Sequence, residues 1–208
     1  MTLSRIDFGP PVSSSVRTWP IIAIGASTGG IDALMEVLGN FPVDCPPTVI
    51  VQHIRSEFAE SFCRRLDRNC RPQIALAQNG APLVPGRVYL APGNANHLVV
   101  RGGRNTVCHF VNAPPVSGHR PSIDVLFQSV ADLPSNRVLA IGVLLTGMGR
   151  DGAKGLLAIR KRNGVTIAQD ADTSVVHGMP KAAFEIGATQ QVLPIDRIAA
   201  AIFQAISR

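Results

Sequence analysis

The sequence predicts a three-layer α/β/α sandwich built on a mostly parallel, doubly wound sheet, with a small antiparallel hairpin attached. Three observations lead there. The runs PIIAIGA at 20–26 and VLAIGVLLTG at 138–147 are apolar at nearly every position, and TVIVQH at 48–53 has an apolar Val-Ile-Val centre. Strands of that kind must be covered on both faces, which is the habit of parallel sheets. The runs alternate with segments of helical periodicity, the pattern of repeated strand–helix units. Finally, HLVV at 97–100 and TVCHFV at 106–111 flank the turn-rich RGGRN, which reads as a hairpin.

Residues 1–19 are rich in Ser and Pro, show no period, and read as a flexible linker-like segment, so the domain is expected over 20–208. After the first strand, Ile31, Leu34, Met35 and Leu38 share one helical face, and Gly39-Asn40 stops the helix. After the second, Ser56 is positioned to cap a helix that carries Ala59, Phe62, Cys63 and Leu66 on one face. QIALAQ at 73–78 and RVYLAP at 87–92 are shorter strand candidates. A third helix starts near Ser122, with Ile123, Leu126, Phe127 and Val130 facing inward. GAKGLLAIRKR is helical, VTIAQD is a strand, and helical segments follow Pro180 and Pro194.

Composition narrows the function. The 208 residues are 46% hydrophobic and only 16% charged, which fits one globular domain and excludes a disordered chain. Charge or turn residues interrupt every apolar run before it could span a membrane, so no membrane insertion is expected. No signal-peptide pattern opens the chain, which makes the cytoplasm the expected compartment. Cys45, Cys63, Cys70 and Cys108 form no C-x-x-C pair and match no zinc spacing, so they read as reduced thiols and no metal is expected. The net charge of +6 reads as a solvated basic surface or as attraction to an acidic partner. One Trp and one Tyr leave few stacking platforms, and no nucleic-acid motif appears.

In an open parallel sheet, ligands bind beyond the carboxyl ends of the strands. Ser27 follows the first strand, His53 ends the second, and Asp151 comes just after the 138–147 strand. If these strands run parallel, the three residues share one edge. A serine needs a base to take its proton, neutral imidazole does so near pH 7, and a carboxylate orients the imidazole and stabilises its cation. The Thr28 N–H, at the start of a helix, and the backbone of Gly147-Met148-Gly149 are candidate donors to a developing oxyanion. Each residue also has a structural reading: Ser27 and Asp151 as helix caps, and His53 as a hydrogen-bonded strand end. GASTG fits G-x-S-x-G. The alternative G-x-G-x-x-G fingerprint lacks its middle glycine and its acidic partner, and Gly-Lys-Ser/Thr of a phosphate loop is absent, so no cofactor is expected.

Longer motifs carry a resemblance. IAIGASTGG from Ile22 to Gly30, VIVQH at 49–53, VYLAPG at 88–93, HRPSIDVLF at 119–127, GVLLTGMGRDGAKGL at 142–156, IAQD at 167–170 and GMPKAA at 178–183 appear in this order. Together they resemble the catalytic domain of the bacterial chemotaxis protein-glutamate methylesterases, from about Ile21 to the C-terminus. The resemblance implies hydrolysis of glutamate γ-methyl esters on chemoreceptor helices with release of methanol, and deamidation of certain receptor glutamines. It places the nucleophile on Ser27, the base on His53, the carboxylate on Asp151 and the oxyanion region at the backbone of Thr28 and Met148. The family's usual architecture puts a phosphorylatable receiver before this domain. Only about nineteen residues precede Pro20, so no receiver is expected within the chain, a separate one is a candidate partner, and activity is expected not to respond to a small phosphodonor. His177 stands where a bulky aromatic is expected, and Asn112 where an aspartate is common.

Two other readings stay beside this one. An α/β-hydrolase acting on small esters normally orders its triad Ser, Asp or Glu, then His, so it would need His177 as the base. A binding module of the same fold without turnover is the other.

Overall fold

A computed structural model describes residues 19–93, 95–102 and 106–207. The expected linker, apart from Trp19, lies outside the described residues, as does most of the RGGRN turn. The elements in chain order are β1 (Trp19–Ala26), α1 (Gly30–Gly39), β2 (Thr48–Gln52), α2 (Ser56–Asn69), β3 (Gln73–Leu76), β4 (Arg87–Leu90), β5 (His97–Arg101), β6 (Val107–Val111), α3 (Ile123–Ala131), β7 (Val138–Leu144), α4 (Ala153–Lys161), β8 (Val165–Gln169), α5 (Met179–Glu185), β9 (Gln191–Leu193) and α6 (Ile195–Ile206).

Seven strands pair in the order β3-β4-β2-β1-β7-β8-β9, and every pairing is parallel. The hairpin β5–β6 forms a separate antiparallel pair. The expected sandwich is therefore present. From the central β1 the chain builds one half of the sheet through β2, β4 and β3, and the other through β7, β8 and β9. Between β1 and β7 the connections diverge, and in open parallel sheets this is the position beyond whose carboxyl ends ligands bind.

Alternation along β1 explains the layers. Ile21 and Ala23 face a core shared with α3, α4, α5 and the hairpin. Ile22, Ile24 and Ala26 face the opposite core, shared with α1, α2 and α6. Both faces of β1 are buried, as its unbroken apolar run requires. Gly25 continues the first set. A Cβ there would collide with the Ile123 side chain, so this glycine lets the start of α3 lie against the sheet.

Two expectations need correction, and one strand carries no sequence signal. Ser56 does not cap α2: Arg55 holds the N-cap position, no side chain caps the helix, and Ser56 is its first residue. The fifth helix begins at Met179, one residue before Pro180, because proline fits a first turn whose N–H groups have no helical partner. The short edge strand β9 was not foreseen. Its three residues are half-exposed or exposed, so they leave no apolar run to read.

Helices α3 and α4 cross closely at Gly155. A Cβ on Gly155 would lie 2.6 Å from the Phe127 Cβ and 2.7 Å from the Asp124 carbonyl oxygen. The second contact is with backbone and cannot swing away. Gly155→Ala should therefore lower stability by about 1–3 kcal/mol, measured by denaturant unfolding, because the two helices must separate. An unchanged midpoint would show that the crossing is loosely packed.

Candidate active site

The turn after β1 is held from three sides. The Ser27 N–H donates to the Thr146 carbonyl at 3.0 Å, and the Gly30 N–H donates to the Ser27 carbonyl at 2.8 Å. The buried Gln52 amide nitrogen donates to the Ser27 carbonyl at 2.8 Å and to the His53 carbonyl at 3.1 Å. Gln52 thus ties the turn carrying Ser27 to the strand end carrying His53. The His53 N–H donates to the Ala26 carbonyl at 3.0 Å and continues the β1–β2 ladder by one step. Thr146, also buried, donates its hydroxyl to the Thr28 carbonyl at 2.9 Å and accepts from the Val176 N–H at 3.0 Å. A Cβ on Gly147 would lie 2.6 Å from the Ser27 Cβ, so the turn after β7 can approach the serine only as glycine.

Helix capping does not account for Ser27. The N-cap of α1 is Gly29, in the left-handed region at φ 79°, and no side chain caps that helix. The same holds for Asp151 and α4, whose N-cap is Gly152 at φ 92° without a side-chain cap. Asp151 instead serves a different helix. Its carboxylate accepts the Ile123 N–H at 2.8 Å, the Asp124 N–H at 3.0 Å and the Ser122 hydroxyl at 2.7 Å. These are the otherwise unpaired donors at the N-terminus of α3, where the helix dipole favours negative charge.

The fourth partner of Asp151 is His53, whose Nε2 lies 2.9 Å from Oδ2. The Asp151 side chain is fully buried and the His53 side chain is 9% exposed. Burial pushes the Asp151 pKa up, but the hydrogen bonds from His53, the Ile123 N–H, Ser122 and the Asp124 N–H outweigh it. The net result lies below the ordinary carboxylate value. An ionised carboxylate only accepts, so in the neutral imidazole Nε2 carries the proton and Nδ1 the lone pair. Nδ1 is buried and has no hydrogen-bond partner among the described residues. The expected hydrogen bond between Ser27 and His53 is therefore not made in this conformation, although backbone bonds join their strands.

Among the described residues, neither the Thr28 nor the Met148 N–H donates to a backbone partner. The Met148 side chain is 73% exposed beside this edge. His177 lies on the other side of β7, in a segment bridged to Gly147. It makes no bond to the Asp151 carboxylate, which carries His53. No helix of the described residues is long and apolar enough to cross a membrane. Cys45, Cys63 and Cys108 are buried and Cys70 is half-buried; burial pushes the Cys108 thiol up to about 12.

Several contributors were not singled out from sequence. Gln52, Thr146 and Ser122 act through backbone carbonyls and a carboxylate that topology alone brings near. Asp124 is a buried counterpart of Asp151, with its Oδ1 accepting the Gly155 N–H at 2.8 Å. His97, fully buried, accepts the Ser122 N–H on Nδ1 at 3.1 Å and so donates from Nε2 to the Pro114 carbonyl at 3.0 Å. It pins both ends of the loop between β6 and α3 to the hairpin.

Fold and site define a doubly wound α/β domain with a His–Asp pair beside a serine turn at the carboxyl edge. A sequence profile described as CheB methylesterase matches residues 22–202, and the chain belongs to that family. It is 52% identical over 202 residues to a protein-glutamate methylesterase/protein-glutamine glutaminase of Gluconobacter oxydans, covering 94% of this chain and 57% of the relative. It is also 52% identical over 190 residues to the Rhizobium etli protein of the same name, covering 91% and 54%. The chain thus spans little more than half the length of these relatives. The crystal structure of the Thermotoga maritima CheB methylesterase catalytic domain superposes with a TM-score of 0.85 at 33% identity, covering 91% of this chain and all of that one.

The two buried carboxylates should pull stability in opposite directions with pH. Asp151 has a lowered pKa, so its contribution is present above the ordinary value of 3.8 and is lost as pH falls through the lower folded value. Burial and the neighbouring Asp151 raise the Asp124 pKa despite its hydrogen bonds, so its contribution is present below 3.8 and is lost as pH rises through the raised folded value. Asp124→Asn should flatten the fall in stability just above pH 3.8, and Asp151→Asn should flatten the acid limb below it. Thermal midpoints across that range decide; an unchanged slope in Asp124→Asn would contradict the assignment. Asp151→Ala should lower stability by about 3–5 kcal/mol in the same assay, since it strands buried donors around the missing carboxylate.

Proposed function

We propose that this domain hydrolyses glutamate γ-methyl esters on methylated chemoreceptor helices, and deamidates receptor glutamines by the same steps, with Ser27, His53 and Asp151 as its triad. The observation that carries the reading is His53: Nε2 is fixed on a buried carboxylate, while the unpartnered Nδ1 belongs to a residue stitched by backbone bonds to the Ser27 turn. The names of the relatives point to the same substrate chemistry.

In this reading the His53 Nδ1 takes the proton from the Ser27 hydroxyl as Oγ attacks the ester carbonyl carbon. Negative charge forms on the carbonyl oxygen. The N–H groups of Thr28 and Met148 supply donors for it, and a lost donor of this kind costs about 3–4 kcal/mol of transition-state stabilisation. The new imidazolium is stabilised by Asp151, whose ionised state its four hydrogen bonds favour. His53 then gives its proton to the departing methoxy oxygen, and methanol leaves an acyl-enzyme on Ser27. Water, deprotonated by His53, attacks the acyl carbon, and Ser27 recovers its proton. The products are a glutamate carboxylate and methanol; from glutamine the leaving molecule is ammonia.

The test is methanol release from methylated receptor cytoplasmic fragments. Ser27→Ala and His53→Gln should each lower the rate by about a thousandfold or more, because triad members act as a unit, while circular dichroism stays unchanged. His177→Phe should keep most of the rate. Wild-type turnover in Ser27→Ala, or loss in His177→Phe with retention in His53→Gln, would overturn the assignment.

A further inference from the structure

The ring of His53 has one in-plane anchor, Asp151, and an unpartnered Nδ1. Its face has a second contact. His119 lies flat against it, with ring centroids 3.7 Å apart and planes only 9° from parallel. The backbone that presents His119 is closed by a tight turn. Val116 and His119 exchange both backbone hydrogen bonds, at 3.1 and 2.9 Å. Between them Ser117 and Gly118 both adopt positive φ, 52° and 80°, the geometry of a two-residue hairpin turn. Three residues further on, Ser122 and the start of α3 bind Asp151. One segment, 116–124, therefore supplies both the hydrogen bonds to the carboxylate and the ring that covers the base, and His97 pins that segment at Pro114 and Ser122.

We infer that His119 is a positioning residue: its neutral ring is a flat wall that keeps the plane of His53 fixed while Nδ1 takes up and returns the proton. This rests on the reading of His53 as the base. Rotation about the single Nε2···Oδ2 bond would otherwise change the direction in which Nδ1 points. A neutral aromatic face also tolerates the positive charge that His53 gains in each cycle. A charged one would oppose it at 3.7 Å. The groups that act electrostatically on His119 are His53 and Asp151. Burial and His53 lower its pKa and Asp151 raises it, with a net fall, so it stays neutral as pH drops toward the ordinary histidine range.

The experiment compares His119→Ala, His119→Phe and His119→Arg in two readouts: turnover of a methylated receptor fragment, and the long-range proton–nitrogen NMR signals of the His53 ring. His119→Phe keeps the wall without titrating. It should retain turnover within about threefold of wild type and keep His53 in one Nε2–H tautomer, whereas His119→Ala should lose about 100-fold in kcat with little change in KM, the scale expected for a misplaced catalytic group. The His53 nitrogen signals of the Ala variant should average between tautomers. His119→Arg places a fixed cation near His53, so the acid limb of its kcat/KM profile should move to lower pH while kcat falls. Wild-type kcat and an unchanged tautomer in His119→Ala would overturn the inference. So would a Phe variant as impaired as the Ala variant, because the nitrogen atoms rather than the flat face would then matter. A wild-type protein that releases no methanol would sink the base assignment instead, and the ring signals would still decide whether His119 fixes His53.

Discussion

A fully buried carboxylate with four hydrogen bonds organises this domain. Asp151 lies in the turn between β7 and α4 and is neutralised not by a cation but by the N-terminus of a neighbouring helix, through two backbone N–H groups and the Ser122 hydroxyl, with His53 as the fourth donor. Burying an anion without such donors would be very costly. The carboxylate therefore requires α3 to begin where it does. That in turn requires Gly25, so that Ile123 can approach β1, and Gly155, so that α3 and α4 can cross. Asp124 completes the arrangement by accepting the N–H of Gly155 in α4. Each helix start is thus bound by an acidic side chain near the start of the other.

The same economy governs the β1–β2 side of the carboxyl edge. β1 and β2 are parallel neighbours, so Ser27 and His53 emerge one register step beyond the last paired residues, Ala26 and Gln52. Gln52 spends its amide protons on their two carbonyls, and Thr146 holds the next residue of the turn from the β7 side. Neither side chain takes part in proton transfer in the proposed reaction. In the proposed reaction they fix where the nucleophile and the base stand before substrate arrives, and such prior positioning removes part of the barrier.

Much of this was legible in sequence, for identifiable reasons. The apolar runs at 20–26, 48–53 and 138–147 could be satisfied only by burial on both faces, so the parallel sheet followed. Once the strands were parallel, their carboxyl ends brought Ser27, His53 and Asp151 to one edge. The inward faces of α2 and α3 followed from spacing and match the buried residues. What stayed hidden depends on contacts between segments distant in sequence. Nothing local in HRPS tells that His119 stacks on His53, although Ser117-Gly118 does carry a turn signal. Nothing around Asp151 tells that it binds α3 rather than capping α4, because a carboxylate before a helix looks the same in both cases. The edge strand β9 is too short and too exposed to leave a pattern.

In the proposed mechanism the Asp151 clamp holds His53 so that Ser27 becomes a nucleophile. The most direct measurement is the site and rate of phosphonylation by a fluorophosphonate, in which the serine oxygen displaces fluoride, followed by peptide mass spectrometry of the wild-type protein and of Asp151→Asn. The account predicts one adduct, on Ser27, forming much more slowly when the carboxylate becomes an amide and His53 loses its fixed tautomer. An adduct on a different residue, or equal rates of Ser27 labelling in the two proteins, would contradict it.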